Sequence, residues 1–259
     1  MTEMHEKLKA FERLLNIMDD LRAKCPWDSI QTMQTLRTLT VEEIYELADA
    51  VFHENMAEVK KELGDVLLHI VFYSKIAEEK GEFDISEVIN SLCNKLIYRH
   101  PHIYSNVIVT GEEEVIQNWE QLKLKEKDNK SVLGGVPDSV PAIIKAYRIQ
   151  DKARGVGFDW DKKEQVWEKV QEEIDELKTE ISDMNEDKME AEFGDLFFSL
   201  INAARLYGVN PENALERTNQ KFIKRFKYLE DKTIKKGQSL KDMTLAEMDV
   251  YWNEAKKLS

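Results

Sequence analysis

The sequence has few of the residues that interrupt helices. Its 259 residues include only 10 glycines and 5 prolines, well below the roughly 12% that average usage gives for the two together. Strong helix formers such as glutamate, lysine, leucine and alanine are abundant instead. The composition therefore predicts an all-α protein. Its 42% hydrophobic content is enough for the core of one large domain or two small ones and argues against a disordered chain.

Cysteines, basic residues and long apolar runs are also scarce. Cys25 and Cys93 form neither a C-x-x-C pair nor a zinc-ligand spacing, which indicates reduced thiols. The formal charge of -13 argues against a nucleic-acid-binding surface, which normally needs clustered lysine and arginine. No apolar run approaches the ~18 residues of a membrane span, and the charged N-terminus lacks the apolar region of a signal peptide. We therefore expect a soluble cytoplasmic protein that binds neither nucleic acid nor membranes.

Several catalytic motifs are absent as well. There is no Gly-x-x-x-x-Gly-Lys, no Glu-x-x-His and no His-Asp dipeptide anywhere in the chain. These absences exclude a P-loop NTPase, a di-iron carboxylate bundle built on Glu-x-x-His and an HD-type phosphohydrolase.

The chain contains two halves with one plan. Residues 128–141, DNKSVLGGVPDSVP, hold the only Gly-Gly and two of the five prolines, a composition typical of a linker. We predict a helical domain over 1–127, a linker over 128–136 and a second helical domain over 137–259. Each half shows an amphipathic helix, a Trp-Asp element, a Glu-Glu-x-x-Glu helix and a Glu-x-Gly-Asp helix in the same order.

Four carboxylates recur in the two halves at one fixed offset. We call Glu43, Glu46, Glu62 and Asp65 the first square, and Glu173, Glu176, Glu192 and Asp195 the second square. Every member of the second square lies 130 residues after its counterpart, whereas the flanking Lys-x-x-x-Arg pair shifts by 126 and a tryptophan by 133. A spacing that stays fixed while its surroundings slip indicates a geometric requirement within each half.

The spacing predicts that each square spans an antiparallel helix pair. Residues at i and i+3 share a helix face. A hairpin turning at residue 54 places Glu43 level with Asp65 and Glu46 level with Glu62, and a turn at residue 184 does the same in the second half. Four such carboxylates repel one another unless a cation lies among them, and an all-oxygen set favours Mg²⁺, or Mn²⁺, over Zn²⁺. The mid-helix Gly64 and Gly194 suggest a close backbone approach, to the partner helix or to a ligand.

Two simpler interpretations compete with a metal site. Thr40 and Glu43 fit the Thr-x-x-Glu pattern of a capping box, although the second copy has no Ser or Thr in that place. The glutamates could also be exposed residues of a charged bundle, which 34% charged content makes common. The apolar residues that follow Asp65 and Asp195 predict buried aspartates and favour the metal site.

Basic and aromatic residues recur around the squares. Lys188 precedes Glu192 by one helical turn, whereas the first half has Glu58 in that place. The remaining candidates for binding phosphate or a base are Lys221 with Arg225, Lys95 with Arg99, and Trp252. Surface charge and helix anchoring are the simpler interpretations of these residues.

Three further residues favour structural roles. Trp27 and Trp160 are interpreted as core anchors. His69 is interpreted as a hydrogen-bonded core residue, because its counterpart is Ser199.

The duplicated Glu-Glu-x-x-Glu and Glu-x-Gly-Asp motifs, together with CPWD (25–28) and RHPH (99–102), resemble the MazG family of nucleoside triphosphate pyrophosphohydrolases in its two-domain bacterial form. The resemblance covers essentially the whole chain. It implies all-α domains that assemble as a homodimer and, with Mg²⁺, cleave ATP and other nucleoside triphosphates between the α- and β-phosphates. It also suggests a role in cleaning the nucleotide pool or in stress-related nucleotide control.

The resemblance also implies roles for individual residues. The second square would bind the metal and carry the catalysis, Lys188, Lys221 and Arg225 would bind the phosphates, and Trp252 would lie near the nucleotide. The first square keeps its four carboxylates, but Glu58 stands where the second half has Lys188, so we expect the second half to carry most hydrolysis. The alternative is a helical interaction module whose squares are structural cation sites without hydrolytic activity.

Overall fold

The computed structural model describes residues 3–111, 114, 115, 118, 119, 122, 123 and 131–258. Within these residues the chain is helical and contains no strand, which confirms the all-α prediction. The chain divides into two compact units, Met1–Ile108 and Val109–Ser259. Residues 128–130 of the predicted linker lie outside the described part, and the boundary at 128–136 stays a prediction.

The first unit is built on a helix pair and a third helix that shares its core. Its helices are α1 (Glu3–Lys24), α2 (Met33–Phe52), α3 (Met56–Glu79), α4 (Ile85–Arg99) and the short α5 (Pro101–Tyr104). A capping box between Thr32 and Thr35 starts α2, and Asn55 caps α3 by accepting from the Glu58 N–H. The core forms where α1, α2 and α3 meet, around Met18, Leu36, Val71, Phe72 and Ile76.

The second unit repeats the pair. Its helices are α6 (Ala142–Arg154), α7 (Val166–Ser182), α8 (Glu186–Leu206), α9 (Pro211–Thr233) and α10 (Leu245–Lys257). Helix α7 packs against α8, α6 contacts both α8 and α9, and α10 packs against α9. The most deeply buried apolar side chains of α7 and α8 include Val166, Val170, Ile201 and Ala203.

Both hairpins turn at the predicted residues. Helices α2 and α3 are joined by residues 53–55, and α7 and α8 by residues 183–185. Glu54 and Met184 both take a left-handed backbone conformation, with φ of 53° and 54°. The next N–H, of Asn55 or Asn185, bonds to a carbonyl five residues earlier, the pattern of a Schellman motif. The same turn at the same offset supports an internal duplication.

Among the described residues, none of the helices combines the length and the low polarity that a membrane crossing requires.

Candidate functional site

The first square lies on the facing sides of α2 and α3. One carboxylate oxygen from each of Glu43, Glu62 and Asp65 lies within 4.8 Å of the others. Desolvation raises the pKa of Glu43, and the neighbouring charges of Asp65, Glu46 and Glu62 raise it further. The hairpin therefore brings all four carboxylates into one electrostatic group, with three of them close enough to share an ion.

The second square lies in the same place on α7 and α8, with a different trio at its centre. One oxygen from each of Glu173, Glu176 and Glu192 lies within 4.8 Å of the others. Desolvation raises the pKa of Glu192, and the neighbouring charges of Glu176, Asp195 and Glu173 raise it further. Asp195 therefore belongs to the same electrostatic group.

Buried carboxylate oxygens without partners show that a cation fits both squares. Oε2 of Glu62 and Oε2 of Glu192 are each buried and make no hydrogen bond. A buried, unpartnered carboxylate oxygen is costly, and an all-oxygen donor set matches the ligands of a hard divalent cation. The residues present therefore fit a hard divalent cation.

Burial within the squares differs from the sequence-based expectation. The deeply buried members are Glu62, 3% exposed, and Glu173, 4% exposed, whereas Asp65 is half-buried and Asp195 is exposed. The prediction of buried aspartates is wrong, because the apolar residues after each aspartate do not all face the core. Phe197 and Phe198 of α8 are among those that are exposed.

Two local interpretations are also wrong. Glu43 lies in the middle of α2, and the Thr40 hydroxyl donates to the Leu36 carbonyl at 2.9 Å, so Thr40 does not cap a helix for Glu43. A methyl group built on Gly64 or Gly194 would meet no atom within 4 Å. The partner helix therefore does not require these glycines, and an approach to a ligand stays a prediction.

Each buried glutamate has a lysine partner that sequence reasoning missed. Lys169 Nζ lies 2.7 Å from Glu173 Oε1, and Lys61 Nζ lies 2.7 Å from Glu62 Oε1. Hydrogen bonds to Glu173 and Glu172 raise the pKa of Lys169. Lys169 precedes Glu173 by one helical turn, so the i, i+4 spacing could have revealed this pair.

The predicted phosphate ligands of the second half lie on two helices. Lys188 is the third residue of α8, with its Nζ 3.3 Å from Glu180 Oε1. Lys221 and Arg225 lie one turn apart on α9, Lys221 exposed and Arg225 half-buried, and Arg225 Nε is buried without a hydrogen-bond partner. The Arg225 guanidinium lies 5.8 Å from the centre of the Trp252 ring, which places these two residues together.

In the first half, Lys95 is exposed and Arg99 half-buried near the end of α4. Both belong to α4, whereas the first square lies on α2 and α3.

The structural roles predicted for two tryptophans are wrong, whereas the one predicted for His69 is confirmed. Trp27 is 54% exposed and Trp160 is 39% exposed, so neither is a core anchor; the loop segments that carry them leave the rings at the surface. His69 is 7% exposed and its Nδ1 lies 3.0 Å from the Thr40 hydroxyl, which confirms a hydrogen-bonded core residue. Burial lowers the pKa of His69.

Comparison with known proteins agrees with this duplicated architecture. Residues 31–104 and 162–229 each match the MazG nucleotide pyrophosphohydrolase domain. The chain belongs to the MazG family. Each match contains one complete square, so the two MazG domains of this chain correspond to its two helix pairs. The prediction of a two-domain, all-α enzyme of this family is confirmed.

Individual MazG relatives match along nearly the whole chain. The nucleoside triphosphate pyrophosphohydrolase/pyrophosphatase MazG of Thermotoga maritima is 43% identical over 250 residues, covering 95% of both chains. The nucleoside triphosphate pyrophosphohydrolase of Escherichia coli K12 is 38% identical over 258 residues, covering 96% of this chain and 98% of its own. The protein YabN of Bacillus subtilis is 43% identical over 252 residues, which form 52% of its length.

Proposed function

We propose that the protein hydrolyses nucleoside triphosphates, ATP among them, between the α- and β-phosphates in a Mg²⁺-dependent reaction at the second square. The observation that carries this proposal is the trio Glu173, Glu176 and Glu192, whose oxygens lie within 4.8 Å of one another. The names of the relatives from Thermotoga maritima and Escherichia coli support the reaction class. Broad base preference would suit the clearing of aberrant nucleotides or nucleotide control under stress.

Different residues of the second half would bind the metal, accept a proton and bind the phosphates. The four carboxylates of the second square would hold the metal, which when bound neutralises the triphosphate and acidifies a water molecule. One of these carboxylates accepts the proton as the water attacks the α-phosphorus and pyrophosphate leaves. Lys188, Lys221 and Arg225 bind the phosphate oxygens. The contact of Trp252 with Arg225 holds the guanidinium in place near the nucleotide.

We also propose that the protein is a homodimer. No residue of α4 is buried, although Ile89, Leu92 and Leu96 of this helix are apolar and at least 40% exposed. Contiguous exposed apolar surface of this kind typically marks an interface. Light scattering tests this directly, because a dimer has twice the 30.3 kDa mass of the chain.

A product assay tests the proposed reaction. Purified protein incubated with each nucleoside triphosphate and Mg²⁺ should release monophosphate and pyrophosphate, and EDTA should stop the release. Chromatography separates these products from diphosphate and phosphate. Diphosphate as the first product would contradict the cleavage position, and the absence of any product would favour a helical interaction module.

Magnesium should stabilise the protein more at pH 8 than at pH 5. The pKa of Glu192 and that of Glu43 are raised in the folded state. A raised carboxyl pKa contributes stability that is fully present below the unfolded value of about 4.3 and is lost as the pH rises through the folded value. Without metal, repulsion among the carboxylates of each square therefore destabilises the protein more at pH 8 than at pH 5, because protonation reduces the repulsion at the lower pH. A bound cation relieves the repulsion at pH 8.

Thermal unfolding at the two pH values measures this effect. Saturating Mg²⁺ should raise the Tm by roughly 5 °C at pH 8. Glu192→Gln should reduce the rise, whereas Glu190→Gln, at an exposed position on the same helix, should not. A Tm shift of equal size at both pH values would show that Mg²⁺ does not bind at these carboxylates.

A further inference from the structure

A cavity of about 930 Å³ opens beside the second square. Glu173, Glu176 and Asp195 line part of it, and the rest of its wall is mainly apolar and aromatic. The apolar lining includes Leu133, Ile149, Val166, Phe198 and Trp160. Its volume lies within the range of about 300 to 1,000 Å³ that is typical of small-molecule sites. A molecule in this cavity would reach the carboxylates with one end and an apolar, aromatic wall with the other.

A buried amide provides a hydrogen-bond acceptor in this wall. Gln150, on α6, is 6% exposed, and its Nε2 donates to the Phe198 carbonyl at 2.8 Å. This bond fixes the orientation of the amide, because a carbonyl accepts only from the nitrogen. Gln150 Oε1 is then an acceptor, and it is buried without a partner. An N–H group of a ligand would satisfy it.

A second amide on the wall is held by an ion pair. Arg205 Nη1 donates to Asp159 Oδ2 at 3.0 Å, and Arg205 Nε donates to Asn202 Oδ1 at 3.1 Å. Burial raises the pKa of Asp159, but the hydrogen bonds from Arg205 and the Trp160 N–H outweigh it and hold that pKa below its ordinary value. Because Asn202 Oδ1 accepts from Arg205, the remaining polar group of Asn202 is the donor NH₂. Two residues that line the cavity, Gln150 and Asn202, therefore carry one acceptor and one donor whose identities are fixed by their other hydrogen bonds.

The first half fills the corresponding space with its own side chains. At the offset of 130 that relates the squares, Asn202 corresponds to Phe72, Ser199 to His69, and Ala203 to Tyr73. Phe72 is 3% exposed and belongs to the core of the first unit. Each of the three positions carries a smaller side chain in the second half, and the cavity lies where two of them, Ser199 and Asn202, reach its wall.

We infer that this cavity binds the nucleobase of the substrate, an inference that rests on the proposed hydrolysis of nucleoside triphosphates at the adjoining square. The exposed face of Trp160 provides a stacking surface. Gln150 Oε1 accepts an N–H of the base, and the Asn202 NH₂ donates to a ring nitrogen or carbonyl. The sugar and phosphates then extend to Glu173, Glu176 and Asp195. The base is read in the second half, because Phe72, His69 and Tyr73 occupy this space in the first.

Binding of two reaction-independent probes tests this inference. Calorimetry with Mg²⁺ gives the dissociation constants of AMP and of ribose 5-phosphate, which lacks the base. In the unmodified protein AMP should bind about tenfold to a hundredfold more tightly, as expected for one stacked base. Asn202→Phe, which copies Phe72, should bring this ratio close to one and leave the affinity for ribose 5-phosphate unchanged.

A second variant keeps the test decisive if Asn202→Phe fails to fold. Gln150→Leu removes the acceptor at similar volume and should lower the affinity ratio about tenfold. Gln171→Leu, at an exposed position of α7, is the matched control and should leave the ratio unchanged. A ratio that Asn202→Phe and Gln150→Leu both leave unchanged would overturn the inference and favour Trp252 as the stacking residue. A protein that binds AMP as described but hydrolyses no triphosphate would refute the proposed function and leave the base site standing.

Discussion

Glu192→Ala should lower the rate of pyrophosphate release from a nucleoside triphosphate by about a thousandfold, since the metal's stabilisation of transition-state charge amounts to several kcal/mol. Glu192 is a member of the oxygen trio of the second square, and its Oε2 is buried with no protein partner. The variant removes a proposed metal ligand whose buried oxygen has no protein hydrogen bond. Steady-state kinetics with Mg²⁺ measures the loss.

Glu62→Ala is the matched control for this variant. Glu62 occupies the same place in the first square and also has a buried, unpartnered Oε2, so the two substitutions remove equivalent groups from equivalent helices. Glu62→Ala should retain most of the hydrolysis and weaken only cation binding at the first square, as measured by Mn²⁺ titration. If Glu62→Ala alone abolished pyrophosphate release, the first half would be the active one.

The helix pairs could be predicted from sequence because their geometry is local. A fixed offset of 130 between two sets of carboxylates, combined with the helical repeat, places the turns at residues 54 and 184. The structure has left-handed residues at those positions. Asn55 and Asn185, which cap the second helix of each pair, stand at the same offset. Helical register and capping depend on residues within a few positions of one another, which a single sequence contains in full.

The depth of each carboxylate could not be predicted in the same way. Glu62 and Glu173 are buried while Asp195 is exposed, because depth depends on which neighbouring helices cover a face. The apolar residues after Asp195 suggested a core position, yet Phe197 is 61% exposed. A hydrophobic pattern indicates that a helix face will be buried. It does not tell whether another helix of this chain or a second protein chain buries that face.

The cavity could not be predicted from local sequence, because it forms where three helices pack together. Gln150 lies on α6, Val166 on α7 and Asn202 on α8, so no single motif joins them. A comparison of the two halves position by position would have found the decrease in side-chain size from Phe72 to Asn202 and from Tyr73 to Ala203. In a duplicated sequence, the differences between the two copies thus contain information about a cavity. Neither copy shows that information alone.

Lys188→Glu should lower kcat/KM for a nucleoside triphosphate about a hundredfold, by placing a negative charge where we propose that the phosphates bind. The Lys188 N–H is fixed by the Asn185 cap at 3.3 Å, and its Nζ is 3.3 Å from Glu180 Oε1, whose side chain is only 16% exposed. The backbone thus holds Lys188 in the first turn of α8. Its exposed ammonium group can give up the ion pair with Glu180 and pair with a phosphate instead. Kinetics at low and high salt measures the effect, which salt should reduce.

Two matched variants separate charge from position. Lys188→Met removes the attraction without adding repulsion, so its loss should be about tenfold. Glu58→Lys gives the first half the charge of the second at the equivalent capped position, since Asn55 accepts from the Glu58 N–H as Asn185 does from that of Lys188. It should not restore activity to Glu192→Ala, because Phe72 in the core of the first unit still stands where Asn202 lines the cavity of the second. Recovery of hydrolysis in that double variant would show that one lysine decides which half is active.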